Sequence, residues 1–251
     1  MNRFPFFIIA TALMLAMLPA CSEDDSPAQP AQPVVHDGQS AVLGQGNVTA
    51  YERVSADGEL LAVGVRFDEA ALNGLPDTDT HIALALPKQV ANSPFDHIGF
   101  DWAPHGHSPE PIYGKAHFDI HYYVVDQQTL AAVIPGPDLV MPESRYLPPD
   151  HISTVEAVPY MGTHYIDTTS AELHGVPFNN THIYGFYQGE LYFFEPMITK
   201  EYFESKPNVV VDIKQPAEFK NKGKVYPQQY RISHDPERKE YSVELINMRL
   251  H

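Results

Sequence analysis

The segment HGHSPEPIYGKAHFDIH, residues 105–121, combines the most unusual chemistry of the chain with one of its clearest strand patterns. It contains four histidines and one aspartate. Prolines at positions 109 and 111 exclude a regular helix or a central strand, so the first two histidines lie on a loop. From Ala116 onward, aromatic and β-branched residues predict a strand.

Alternation along this strand places His117, Asp119 and His121 on one face. The apolar residues between them would face the core, so the polar face meets water, a partner or a ligand. Imidazole and carboxylate groups are good ligands for divalent metals. His117 and His121 would lie roughly 13 Å apart along the strand, which is the limit for sharing one ion. A polar face that only hydrogen-bonds to its neighbours is an equally good interpretation.

Turn signals between short apolar runs recur along the rest of the chain. Asp57-Gly58 and Gln188-Gly189 each separate two strand-like runs, which is typical of hairpins. Because no long amphipathic helix is evident, we predict a mostly β fold, an antiparallel β-barrel or sandwich with a few short helices. A two-residue turn at Gln188-Gly189 would place His182 directly opposite Glu195, where the pair could hydrogen-bond or share an ion.

A set of imidazole and carboxylate side chains from this region forms the candidate site. Three or four of them could hold one divalent metal ion, and the others would orient those ligands. Histidine without cysteine argues against a structural thiolate zinc site, and we expect zinc as the ion, with copper, iron and manganese as alternatives. Nearby aromatic residues either line a ligand pocket or belong to the core: Trp102, Phe118, Tyr160, Tyr165, Tyr184 and Phe193. The candidate metal ligands are His107, His117, Asp119, His121, His164 and Glu195.

The N-terminal sequence is typical of a secretion signal. A short basic region precedes an apolar run that is too short for a comfortable membrane span. The only cysteine, Cys21, stands where a lipoprotein signal peptidase leaves the first mature residue. We therefore predict a lipoprotein signal peptide over 1–20, a disordered tether over 21–40, and a single β-rich domain over 41–251. The protein would be lipid-anchored in the bacterial cell envelope and face the periplasm, and Ser22 favours the outer membrane.

The net charge and the missing catalytic motifs narrow the possible partners and activities. Sixteen basic residues stand against 32 acidic ones, which disfavours nucleic acid as a partner. The chain shows no serine nucleophile elbow, phosphate-binding glycine loop or His-Glu-x-x-His helix. The sequence therefore leaves open whether the protein is an enzyme.

Two functional hypotheses remain. In the first, a lipid-anchored envelope protein binds a divalent metal through the His/Asp/Glu cluster. In the second, a non-enzymatic envelope-stress or small-ligand-binding lipoprotein uses the histidines as a structural hydrogen-bonded network. Convergence of three imidazoles on a common point would favour the first hypothesis. Imidazoles that are each paired to a carbonyl or carboxylate and point apart favour the second.

Longer motifs resemble those of a family of uncharacterised bacterial secreted proteins. The family is typified by a thermophile protein controlled by an envelope-stress (sigma-E) factor, and the resemblance spans about residues 42–248. It implies a β-rich domain that can form homo-oligomers, and it assigns no catalytic residue. The motifs are Gly58 after a hairpin, Ala71-Leu-Asn-Gly-Leu-Pro76, Asp101-Trp-x-Pro-His-Gly-His107-x-Pro, His117-Phe-Asp-x-His121, Met161-Gly-x-His164, Ile183-Tyr-Gly-x-Tyr-x-Gly189 and Glu195-Pro-Met-Ile-Thr199.

Overall fold

Antiparallel strands dominate the computed structural model, which describes Met1 and residues 32–251. The predicted signal peptide, Cys21 and the first part of the predicted tether lie outside the described residues. The described strands form two sheets, so the predicted sandwich is confirmed, and neither sheet closes into the alternative barrel within residues 32–251.

The first sheet has six strands. Its order is β1 (Val34–Leu43), β2 (Gly46–Val54), β3 (Leu60–Asp68), β14 (Glu240–Leu250), β13 (Val225–Asp235) and β12 (Val209–Asp212). Strand β1 begins at Val34 and pairs with β2, so residues 34–40 of the predicted tether belong to the sheet and the boundary predicted at residue 41 is too late. Proline and glutamine elsewhere in the predicted tether suggested disorder for all of it, but pairing with β2 orders residues 34–40.

The second sheet has eight strands. Its order is β4 (Thr80–Ala85), β5 (His97–Ala103), β6 (His117–Tyr123), β11 (Glu190–Thr199), β10 (Asn180–Tyr187), β9 (Gly162–Asp167), β8 (His151–Val158) and β7 (Gly136–Pro137). The predicted hairpins are present, with turns at Ala56–Gly58 and Gln188-Gly189.

Helices are few and short. They are α1 (Glu110–Tyr113), α2 (Gln127–Ala131), α3 (Lys200–Glu204) and two 3-10 helices at Glu69–Leu72 and Ala171–His174. The Asp126 carboxylate caps α2 by accepting from the Thr129 N–H. Within the described residues, no helix is long and apolar enough to cross a membrane.

The main core lies between the two sheets. Phe118, Ile120 and Tyr122 from β6 reach it and are fully buried. The Tyr122 hydroxyl donates to the Val243 carbonyl at 2.7 Å, which ties β6 to the opposite sheet. Phe118 packs within 6.1 Å of the Phe67 ring, measured between centroids. The core therefore fixes β6 in a register that turns its remaining side chains to the other face of the eight-stranded sheet.

Candidate functional site

The polar face of β6 is buried although it points away from the main core. The predicted alternation is confirmed, since His117, Asp119 and His121 lie opposite the core residues of the same strand. None of the three is substantially exposed to water. Their partners come from neighbouring strands and from the loop after β5, and together they make two groups of side chains that could each hold a metal ion.

The first group, which we call the loop group, consists of His107, His117 and Asp119. One atom from each residue lies within 4.8 Å of the others. His117 Nε2 is 3.0 Å from Asp119 Oδ1, and His107 Nε2 is 3.5 Å from Asp119 Oδ2. The His107 side chain is 45% exposed, whereas His117 is fully buried. The loop group therefore has one side open to solvent.

Backbone contacts position His107 on its loop. Its N–H donates to the Tyr113 carbonyl at 3.1 Å. Gly106 adopts a left-handed conformation with φ of +65°, and a β-carbon there would collide with the Tyr113 and Lys115 carbonyls. Only glycine fits such a position, which explains the Gly in His-Gly-His. The loop thus returns over β6 and brings His107 to Asp119.

The second group, which we call the strand group, consists of His121, His164 and Glu195. These residues belong to β6, β9 and β11 respectively. His121 Nε2 is 3.3 Å from Glu195 Oε1, and His164 Nε2 is 3.4 Å from Glu195 Oε2. His121 and Glu195 are almost completely buried, while the His164 side chain is 19% exposed. Each member is therefore held by a strand rather than by a loop.

A glycine on β10 makes room for the strand group. Gly185 pairs with His164 on one side and with Phe193 on the other. The Phe193 ring lies over Gly185, in the space that a β-carbon would need. The same ring packs edge-on against His121 and His164, with centroids 4.8 and 5.3 Å away. Phe193 thus forms the apolar wall of the strand group.

The predicted His182–Glu195 pair is wrong. The register next to the turn is as expected, with Tyr187 opposite Glu190, but a bulge between Gly185 and Phe186 shifts it by one residue. Glu195 consequently lies opposite Ile183 and turns to the other face from His182. His182 instead packs against aromatic rings on the core side, including a stack on Tyr230.

Hydrogen bonds fix the orientation of three imidazoles in the two groups. His107 Nδ1 donates to the Ser108 carbonyl at 3.0 Å, and His117 Nδ1 donates to the Lys115 carbonyl at 2.6 Å. A carbonyl only accepts, so the proton must be on Nδ1. His121 Nδ1 lies 2.9 Å from an Asp101 oxygen. In all three rings Nε2 is therefore the nitrogen that faces the group's carboxylate, which is the usual arrangement of metal-binding histidines.

The atoms that face each other inside the groups lack hydrogen bonds. Seven buried side-chain nitrogen or oxygen atoms of the described residues have no hydrogen-bond partner, and four of them belong to these two groups. The four atoms are His117 Nε2, Asp119 Oδ1, His121 Nε2 and Glu195 Oε2. In the loop group, His117 Nε2 and Asp119 Oδ1 lie 3.0 Å apart without forming a hydrogen bond. Unpartnered buried polar atoms are costly, and a cation between the imidazole and the carboxylate could supply the missing partner.

Asp101 and His81 extend the strand group toward the sheet edge. Asp101 accepts from His121 at 2.9 Å and from His81 Nδ1 at 2.6 Å. Neither residue was predicted for the site. Asp101 precedes the buried Trp102 on a strand, and this alternation is the signal that could have placed it on the polar face.

Burial and neighbouring charge shift the pKa values of the site. Burial lowers the pKa of His121, but the Glu195 and Asp101 carboxylates outweigh it and raise that pKa to about 9. Burial also opposes the charged form of His107, but Asp119 raises its pKa to about 9. In Asp119, the two imidazoles outweigh burial and hold the carboxyl pKa well below its ordinary value.

The other two members of the strand group shift toward their neutral forms. Burial raises the pKa of the Glu195 carboxyl to about 8. Burial, followed by the positive charge of His121, lowers the pKa of His164 to about 3. Asp119 is therefore stabilised as a carboxylate by neighbouring positive charge, whereas buried Glu195 favours its protonated form in the absence of a bound cation.

The aromatic residues proposed for a ligand pocket separate into three places. Trp102, Phe118, Tyr165 and Tyr184 belong to the main core, so the core interpretation is correct for them. Phe193 packs on the strand group, and Tyr160 is 65% exposed. These six rings therefore do not line one common pocket.

Comparison with known proteins gives one family match. Residues 55–102 match the model of the TTHB210-like family, described as hypothetical protein TTHB210. The matched region includes strands β3, β4 and most of β5, and with them His81 and Asp101. No curated protein and no solved structure is significantly similar to the chain. The chain thus resembles an uncharacterised family from the turn after β2 to the strand that carries Asp101.

Proposed function

We propose that the protein binds a divalent transition-metal ion, with the strand group as the primary site. The proposal rests on buried imidazole nitrogens and carboxylate oxygens that lie next to one another without hydrogen-bond partners. A metal ion would partner His121 Nε2 and Glu195 at the same time, and it would neutralise the buried carboxylate. Protons alone would leave these atoms poorly paired.

The spacing of the ligand atoms supports a metal of ordinary size. Two ligands of a tetrahedral zinc ion, each about 2.05 Å from the metal, lie roughly 3.3 Å apart. In the strand group, His121 Nε2 is 3.3 Å from Glu195 Oε1 and His164 Nε2 is 3.4 Å from Oε2, so a carboxylate that binds through both oxygens would place each imidazole at this spacing. Nitrogen and oxygen donors without sulfur fit zinc, and they also accept iron, copper or manganese.

The number of protein ligands determines whether a metal ion keeps a coordination position for water or substrate. Two histidines and one carboxylate are typical of catalytic zinc sites and of non-haem iron oxygenases, which keep a coordination position for water or substrate. Structural zinc sites usually have four protein ligands. The proposed ion would therefore be open to a small molecule from the His164 side, which is partly exposed.

The alternative of a purely structural histidine network has one observation in its favour. His107, His117 and His121 each pair through Nδ1 with a carbonyl or a carboxylate, as that hypothesis expects. It also expects the rings to point apart. Instead, two imidazoles converge on one carboxylate in each group. This is fewer than the three imidazoles that the metal hypothesis anticipated, but a two-histidine, one-carboxylate set supports metal binding.

Metal content tests the proposal. The full chain, purified without a polyhistidine tag, should carry zinc or another divalent metal when analysed by mass spectrometry. A His121→Ala, His164→Ala variant should lose the ion of the strand group. A His36→Ala, His174→Ala variant changes two histidines outside both groups and should retain it. Absence of metal from the wild-type protein, even after incubation with zinc and copper, would contradict the proposal.

We also propose that the protein is anchored in the cell envelope through a lipid on Cys21. The support is the leader sequence alone, in which Cys21 follows an apolar run. Metabolic labelling with a radioactive fatty acid should mark the wild-type protein and leave a Cys21→Ser variant unlabelled. Equal labelling of both proteins would contradict the anchor.

A further inference from the structure

We infer that the cluster holds two metal ions rather than one, with the second ion in the loop group of His107, His117 and Asp119. This inference rests on the proposed function, since it assigns the stoichiometry and the accessibility of the same cluster. The first argument is the distribution of unpartnered atoms. His117 Nε2 and Asp119 Oδ1 are in the loop group, and His121 Nε2 and Glu195 Oε2 are in the strand group. One ion in either group would leave the other pair without a partner.

The spacing along β6 supports the same conclusion. Asp119 and His121 are successive residues on one face of the strand, so their backbones lie about 7 Å apart. The six ligand residues accordingly separate into two groups of three, each with its own carboxylate. An ion that bonds at about 2 Å to the three ligands of one group would leave the three ligands of the other group without a metal.

The negative charge of each group also suits one divalent ion. With neutral imidazoles, and with Glu195 deprotonated when the ion binds, each group contributes one carboxylate and therefore one negative charge. Each divalent ion would leave its group with one positive charge, which a hydroxide or an anionic ligand could neutralise. The acidic balance of the whole chain, 32 acidic against 16 basic residues, favours the accumulation of cations at both sites.

The two sites differ in how they are built. All three ligands of the strand group sit on strands, and His121 and Glu195 are almost completely buried. The loop group depends on His107, which is on a loop and is 45% exposed. The ion of the loop group can therefore exchange with solvent by a movement of one loop, whereas release from the strand group requires the sheet to open.

Zinc stoichiometry and release test the inference. The zinc-saturated full chain should contain two ions, and an excess of a chromogenic chelator should remove them in a fast and a slow phase of equal amplitude. His107→Ala should lose one ion and the fast phase only. His105→Ala is the matched control, because His105 is in the same loop but contacts Asp77 rather than the loop group, and it should keep both phases.

The outcomes separate the two proposals. One ion per chain that is unaffected by His107→Ala would overturn the second site and leave the proposed function intact. No ion at all would overturn both. The two release phases are measured on the wild-type protein, so a single phase with one ion would contradict the inference even if the His107 variant failed to fold.

Discussion

Replacing Asp101 with asparagine removes one of the two acceptors that Asp101 offers to imidazoles. Its oxygens accept from His121 at 2.9 Å and from His81 at 2.6 Å. Asparagine keeps a single acceptor oxygen, and its amide nitrogen would face an N–H. His121 would then lose its orientation or rotate, and its Nε2 would leave the position next to Glu195. The fold should survive, because Asp101 is on the face away from the main core.

The expected size of the effect follows from the role of such partners. Loss of a carboxylate that orients a metal-binding histidine typically reduces metal affinity by about 10–100-fold, or about 1.4–2.7 kcal/mol. Although burial favours the neutral acid, His121 and His81 hold the pKa of Asp101 below its ordinary value, so its negative charge is present at neutral pH. Asp101→Asn removes this charge as well, which acts in the same direction.

Zinc competition with a chelator of known affinity measures this change, and circular dichroism checks the fold. Asp96→Asn is a matched control, since Asp96 also accepts from a histidine, His97 at 3.0 Å, but that histidine is in neither metal group. It should leave zinc affinity unchanged. Equal affinity of wild type and Asp101→Asn for the strand-group zinc would refute the orienting role of Asp101.

Three further changes have expected results. Gly185→Val would force its side chain into the Phe193 ring, so we expect a loss of about 1–3 kcal/mol in the free energy of unfolding and weaker zinc binding. Phe118→Ala would leave a cavity between the sheets and should cost about 3–5 kcal/mol in a urea titration. Burial lowers the pKa of His182 from 6.5 to about 3, so its neutral form stabilises the folded state above pH 6.5 and this contribution is lost as pH falls. Between pH 7.5 and pH 5 the loss from this residue is about 2 kcal/mol, and His182→Phe should reduce the acid-induced destabilisation by that amount.

Each of these expectations has a contradicting result. Wild-type stability and zinc affinity in Gly185→Val would mean that the β10–β11 bulge adapts to a side chain. A change below 1 kcal/mol in Phe118→Ala would contradict its place in the core. An unchanged difference between the stabilities at pH 7.5 and pH 5 in His182→Phe would contradict burial of the neutral ring.

The part of the site on β6 could be predicted because it is local. Alternation of His117, Asp119 and His121 with apolar neighbours determines which side chains share a face, whatever the rest of the fold does. The loop character of His107 also followed from local proline chemistry. What the local pattern did not show is that the polar face is covered by the loop and by neighbouring strands.

The contacts of Glu195 and Asp101 depend on pairing between strands, which the sequence pattern specifies weakly. One bulge at Gly185 moved Glu195 away from His182 and toward His121 and His164. Asp101 was missed because its partner strand was not identified. The contacts of His81 and His234 depend on strand pairing in the same way: His81 bonds Asp101, and His234 is buried against Glu69.

Anomalous diffraction from zinc-soaked crystals, recorded at the zinc absorption edge, tests the central claim most directly. Our account predicts a strong peak about 2.0–2.2 Å from His121 Nε2, His164 Nε2 and a Glu195 oxygen. A second peak should lie beside His107, His117 and Asp119. Zinc peaks only at exposed surface carboxylates, with none between the imidazoles and Glu195, would contradict metal binding by this protein's histidine cluster.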